Sequence, residues 1–151
     1  HYSLDSNSRT INELSRMISF DPDNDIFRQQ LNQFNENTEV DKMNKANELS
    51  QSGIDLLNDC AHFINDAKRK RNTKIMNENE KFLLDHINLS EQKIKDAIEL
   101  YKQCRPSLPQ NKMTVQNNIN TMKQNLDAID NNRKYLLNYY ATPKSFRIKV
   151  L

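Results

Sequence analysis

Between Thr38 and Arg71 the apolar residues fall on two neighbouring helical seams, where a surface helix needs one. Counted in steps of three and four, the first seam runs Ala46, Leu49, Gly53, Leu56, Cys60, Phe63 and Ala67. The second runs through Val40, Met43, Ile54, Leu57, Ala61 and Ile64. Two stripes on one helix predict cover from two sides, as expected for the central member of a helical bundle. Composition points the same way. One glycine and four prolines leave almost no turn chemistry for hairpins or a multi-stranded sheet.

Leu, Ile, Val and Phe make up 36 of 151 residues, enough to lift the chain above the disordered range. The mean hydropathy is nevertheless −0.92, so the apolar residues are concentrated at periodic positions, which suits long amphipathic helices. The 22 asparagines are dispersed through those periods and do not form a prion-like tract. Codon usage in an AT-rich genome accounts for them. A net charge of +2, from 22 basic and 20 acidic residues, gives no general electrostatic drive toward nucleic acid. No apolar run approaches the roughly 18–20 residues of a membrane span. The chain starts at His1 with neither Met nor a signal-peptide pattern, so its beginning does not report a compartment.

Periodicity divides the chain into elements. Thr10 and Glu13 form a capping box ahead of Ile11, Leu14, Met17 and Ile18, a short helix that Asp21-Pro22 stops. Asp21 as N-cap and Pro22 at the first helical position open a second short helix carrying Ile26, Phe27, Leu31 and Phe34. The first long helix opens near Thr38, with Asp41 completing a weaker capping box, and closes near Arg71 or Asn72. Thr73 caps the next, whose frame is Met76, Glu80, Leu83, Ile87, Ser90, Ile94, Ala97, Tyr101 and Cys104. Arg105-Pro106-Ser107-Leu108-Pro109 is the clearest loop. The last long helix runs from Lys112 to Tyr140, with Val115, Ile119, Met122, Leu126, Ile129, Arg133 and Leu136 in frame, and Pro143 ends it.

The expected fold is therefore all-α: an antiparallel three-long-helix bundle with two short N-terminal helices and a short extended C-terminal tail. One domain spans 1–144, and 145–151 is an extended tail or the start of a following segment. In that tail Phe146, Ile148 and Val150 alternate with Arg147 and Lys149, the period of a strand. A lone strand cannot stabilise itself. It packs along the bundle, enters a following domain, or pairs with a partner's edge.

Among the polar residues, Lys68, Arg69, Lys70 and Arg71, continued by Lys74, form the one marked charge cluster. It is either a solvated corner matching the helix dipole or a contact for phosphates, acidic lipid heads or an acidic protein. No aromatic residue interrupts it, so it lacks a stacking platform for single-stranded nucleic acid. Arg133 sits in an apolar seam and needs a partner. A turn centred near Leu108 places it within about one turn of Glu80, predicting a Glu80–Arg133 interhelical pair. Tyr135, Tyr139 and Tyr140 crowd one helix end, as an interface or as a cap of the bundle.

The two cysteines do not meet. If the chain folds back near Asn72, facing residues sum to about 145, which leaves Cys60 and Cys104 some 27 Å apart along the axis. Two buried thiols favour an intracellular, reducing compartment, with a secreted protein as the alternative. Cys60, His62 and His86 lack a fourth ligand for structural zinc. Asp21, Asp23 and Asp25 occupy positions of a calcium loop, but Ile26 and Asn32 stand where Gly and Glu are required, and a helix N-terminus fits them better. There is no glycine-rich phosphate loop, HExxH or nucleophile elbow, and no cofactor is implied. Asn88-Leu89-Ser90 matches a glycosylation acceptor within a helix.

Three functions follow from this pattern. The first is a non-enzymatic protein-interaction module, an adaptor or regulatory bundle with protein partners. The second is a secreted or surface-exposed bundle binding a receptor, lipid or host ligand. The third is contact with an anionic membrane or nucleic acid through the basic corner. Asn47 and Ser50 stand at core-type positions, so part of the long helix offers a groove for the N-terminal helices, a partner helix or a second copy.

Overall fold

The computed structural model describes residues 2–151, with side chains from residue 8 onward. The chain is all-α, and there is no strand among the described residues. Its elements are α1 (Tyr2–Phe20), α2 (Asp25–Lys70), α3 (Thr73–Glu78), α4 (Glu80–Gln103) and α5 (Pro109–Ala141), then a 3-10 turn (Lys144–Phe146) and α6 (Arg147–Val150).

The N-terminal third differs from the two short helices expected. α1 has 19 residues, and Thr10 lies inside it instead of at its start. α2 runs unbroken for 46 residues, about 69 Å at 1.5 Å per residue. No proline or glycine interrupts it before Gly53, so nothing forces a break near Thr38. The Thr38 hydroxyl donates back to the Phe34 carbonyl at 3.0 Å, the mid-helix alternative to capping. The cap is Asn24, three residues after Asp21. Its Oδ1 accepts from the Ile26 and Phe27 amides at 3.0 and 3.2 Å. At the other end Arg71 takes the left-handed conformation (φ 49°, ψ 44°) that glycine usually supplies.

The two seams of α2 merge into one buried line. Met43, Ala46, Ser50, Gly53, Leu57, Cys60, Ile64 and Ala67 face inward, and Leu49, Ile54 and Phe63 flank them half-covered. The central position belongs to α4. It packs along both α2 and α5, α2 and α5 meet at few places, and α1 lies on α2. Leu83, Ile87, Ile94 and Ala97 of α4 are wholly inaccessible. The α2–α4 pairing lies close to the expected register: the Cys60 thiol is 3.7 Å from the Leu83 carbonyl, and Ser90 donates to the Gly53 carbonyl at 2.6 Å.

The helix expected from Thr73 onward is cut at Asn79, whose backbone (φ −118°, ψ 22°) leaves the helical region. Its side chain donates to the Ile75 carbonyl at 2.7 Å, offering the backbone a local alternative. Asn72, not Thr73, caps α3 by accepting from the Ile75 amide at 3.0 Å. The tail is helical, not extended. A strand there would have no neighbour to pair with, whereas a helical turn satisfies its backbone locally, as in the Leu151 amide to the Arg147 carbonyl at 3.1 Å.

Candidate functional site

Two segments far apart in sequence meet at one end of the molecule. The last turn of α2 carries Lys68, Arg69 and Lys70, Arg71 follows as its cap, and Lys74 lies in α3. Arg71 Nη2 donates to the Ile148 carbonyl at 3.2 Å, which seats the C-terminal segment against this corner. Lys68 Nζ lies 4.0 Å above the Tyr135 ring, and the Tyr135 hydroxyl donates to the Val150 carbonyl at 3.3 Å. The C-terminal segment adds Lys144 and Lys149, so seven exposed cations share this end. Asp66 partly offsets them, bridging Arg69 at 2.6 Å and Lys70 at 3.2 Å.

The tyrosine cluster divides. Tyr139 is wholly buried, and its hydroxyl donates to Asn77 Oδ1 at 3.0 Å. Tyr140 is half-buried and donates to the Met76 carbonyl at 2.7 Å. The two rings meet edge-on, 5.1 Å apart. Both therefore fasten α5 to α3 and present little to a partner. Desolvation raises the phenol pKa of all three tyrosines. Tyr135 alone borders the basic surface.

Arg147 is the residue sequence reasoning missed. Its period-two neighbours suggested an outward charge, yet it is buried, 8% exposed. Nε donates to the Thr142 carbonyl at 2.8 Å, Nη1 to Asn77 Oδ1 at 2.9 Å and Nη2 to the Tyr140 carbonyl at 3.0 Å. The guanidinium also lies 5.3 and 5.6 Å from the Tyr139 and Tyr140 ring centroids. No local pattern marked it, because its acceptors on Asn77, Tyr140 and Thr142 surround it only once the chain is folded.

Arg133 has an acid partner, but not Glu80. Nη1 meets Glu91 Oε2 at 2.9 Å, and Nη2 donates to Asn88 Oδ1 at 3.2 Å. Helix side chains lean toward the N-terminus of their own helix. The α4–α5 register is also displaced from a turn centred on Leu108, as the Asn118–Tyr101 contact shows, and the lean of two long side chains adds to that offset. The Arg133 contact holds the Glu91 carboxyl below the usual carboxylate range, outweighing the opposing effect of burial.

The groove expected beside Asn47 and Ser50 is filled. Ser50 Oγ donates to the Tyr101 hydroxyl at 3.4 Å, and that hydroxyl donates to Asn47 Oδ1. Asn118 Nδ2 reaches Asn47 Oδ1 at 3.3 Å and Tyr101 at 3.4 Å, tying α5 into the junction. Cys60 and Cys104 are free and buried, and desolvation pushes the Cys60 thiol up to about 11. Among the described residues no group of His, Cys, Asp and Glu is arranged to hold a metal ion. Ser90 is buried against Gly53, which leaves the Asn88-Leu89-Ser90 triplet without an accessible hydroxyl.

At the opposite end α2 overhangs the core. Glu36 and Glu39 accept from backbone amides of the α4–α5 loop, so residues 25–35, about 16 Å of helix, extend past it. An open cleft of about 470 Å³ lies between Gln29, Asn32, Gln33 and Glu36 of α2 and Ser107 and Leu108 of the loop. α1 packs on α2, and Leu14 is the described α1 side chain that is fully buried. Among the described residues no helix is long and apolar enough to cross a membrane. No family model matches the chain, and comparison with curated proteins and with solved structures gives no match.

Proposed function

We propose that this chain is a non-enzymatic protein-interaction module: α2, α4 and α5 form an antiparallel bundle, and α1 with the start of α2 forms a docking arm. The observation that carries the reading is the arm's incomplete core. Ile11, Ile18, Phe27, Leu31 and Phe34 are only half-covered. Met17, Phe20 and Ile26 are 41%, 84% and 63% exposed. Two helices cannot close around an apolar stripe, whereas four can.

A second copy offers the same two helices, and a two-fold contact between arms would complete a four-helix core. The arm's charges suit self-pairing, since Arg9, Arg16 and Arg28 are interspersed with Glu13, Asp21, Asp23 and Asp25. Sedimentation equilibrium across a wide concentration range tests this. The expected result is a molar mass rising above the 17.8 kDa monomer, and a monomeric Phe20→Asp, Ile26→Asp double variant with unchanged helix content. A wild-type chain monomeric throughout would sink the arm as a self-association surface.

A further inference from the structure

We propose that the end of the molecule formed by the α2 C-terminus and residues 144–150 binds anionic lipid headgroups at a bilayer surface. The C-terminal segment is folded inside out for a surface in water. Its charged Arg147 is the buried residue, while Phe146, Ile148 and Val150 around it are 53%, 36% and 37% exposed. Three hydrogen bonds from Arg147 hold this inversion in place, so the apolar side chains are presented outward in the free protein. A surface that exposes apolar groups and ringed cations together matches the layered chemistry of a membrane interface.

The cations are positioned for it. Lys68, Arg71, Lys144 and Lys149 form no ion pair among the described residues, and Lys74 is only loosely paired, 4.0 Å from Glu78. Arg71 holds its left-handed backbone while its side chain reaches the Ile148 carbonyl, which joins the basic and apolar parts into one face. Nucleic acid fits less well. The apolar residues include one ring, Phe146, and Lys149 already lies 5.4 Å from its centroid. The surface is at the far end of α2 from the arm, so it stands independently of the self-association reading.

Co-sedimentation with phosphatidylcholine vesicles, with and without phosphatidylserine, at low and high salt tests the proposal. The expected result is binding to phosphatidylserine vesicles only, weakened by salt. Lys74→Gln with Lys149→Gln should weaken it about 25-fold, roughly fivefold per charge. Phe146→Ser with Ile148→Ser should weaken it by about tenfold or more, with helix content unchanged. The monomeric arm variant should bind vesicles as the wild type does. The proposal is overturned by equal binding to neutral vesicles or by no binding to phosphatidylserine vesicles. It is also overturned if the serine variant keeps full binding while a DNA duplex or polyglutamate binds as tightly, which would assign the surface to a soluble polyanion.

Discussion

Gly53 is the residue of α2 against which the Ser90–Ile94 stretch of α4 packs with no room for a side chain. A glycine inside a helix is disfavoured by about 1 kcal/mol against alanine, so its position asks for a reason. An added Cβ would lie 2.6 Å from Ile94 Cγ1 and 3.2 Å from the Ser90 carbonyl oxygen. Ile94 is β-branched and wholly buried, so that atom cannot swing aside cheaply. The bare backbone also lets Ser90 Oγ reach the Gly53 carbonyl at 2.6 Å. Gly53→Ala should therefore destabilise despite its better propensity. Overpacking of about 1–3 kcal/mol exceeds the gain, and thermal melting should show a lower Tm. A Tm equal to or above that of the wild type would show that α2 and α4 separate easily here. Sequence periodicity placed Gly53 on the buried seam, but a seam position does not reveal how closely two backbones approach.

At the scale of elements, α5 starts without a cap of its own, and α2 supplies one. Leu108 precedes Pro109 and offers no side-chain acceptor. Glu36 fills the role: its carboxylate accepts from the Ser107 amide at 2.5 Å, the Leu108 amide at 3.4 Å and Asn111 Nδ2 at 2.7 Å. Burial alone would raise its pKa, but those donors and the Lys112 charge together bring it below 4.5. A carboxyl with a depressed folded pKa stabilises fully above its unfolded value and loses that contribution as pH falls through the folded value. Glu36→Gln should thus cost about 1–2 kcal/mol at neutral pH, and the gap to wild type should narrow below pH 4.5. Melting both proteins from neutral to acid pH checks this; a constant gap would mean the contact works as a neutral hydrogen bond. The elements differ in how far they could be read from sequence. The α4 and α5 frames and the Arg105–Pro109 loop were legible because apolar period and proline act locally. The Thr10 and Thr38 capping boxes misled because a cap forms only where the preceding chain leaves the helix, and nothing there makes it leave. The tail misled for the opposite reason: its alternation is real, but Arg147 finds its acceptors on Asn77, Tyr140 and Thr142. The basic surface was half legible, since Lys68–Lys74 is contiguous and its joining to residues 144–150 is tertiary.

Across the whole molecule, burial is distributed unevenly along α2. Its second half is clamped by α4, whose Leu83, Ile87, Ser90, Ile94 and Ala97 have no accessible surface. α1 packs on α2, and the apolar residues of α1 and of the first eleven residues of α2 are mostly half-covered. A helix depends for stability mainly on packing of its apolar face, so the arm should open on its own while the core opens only in global unfolding. Hydrogen exchange separates the two. In dilute protein, α1 and residues 25–35 should exchange through openings of roughly 0–3 kcal/mol, and the interior of α4 near the global value, about 5–15 kcal/mol. The same measurement at high concentration bears on the arm's role. If two arms complete one core, α1 amides should gain protection by mass action while those of α4 stay unchanged. Protection in α1 as high as in α4 at every concentration would mean the arm is as firmly held as the core. Phe20 and Ile26 would then be isolated surface residues, and the basic end would be left as the molecule's interaction surface.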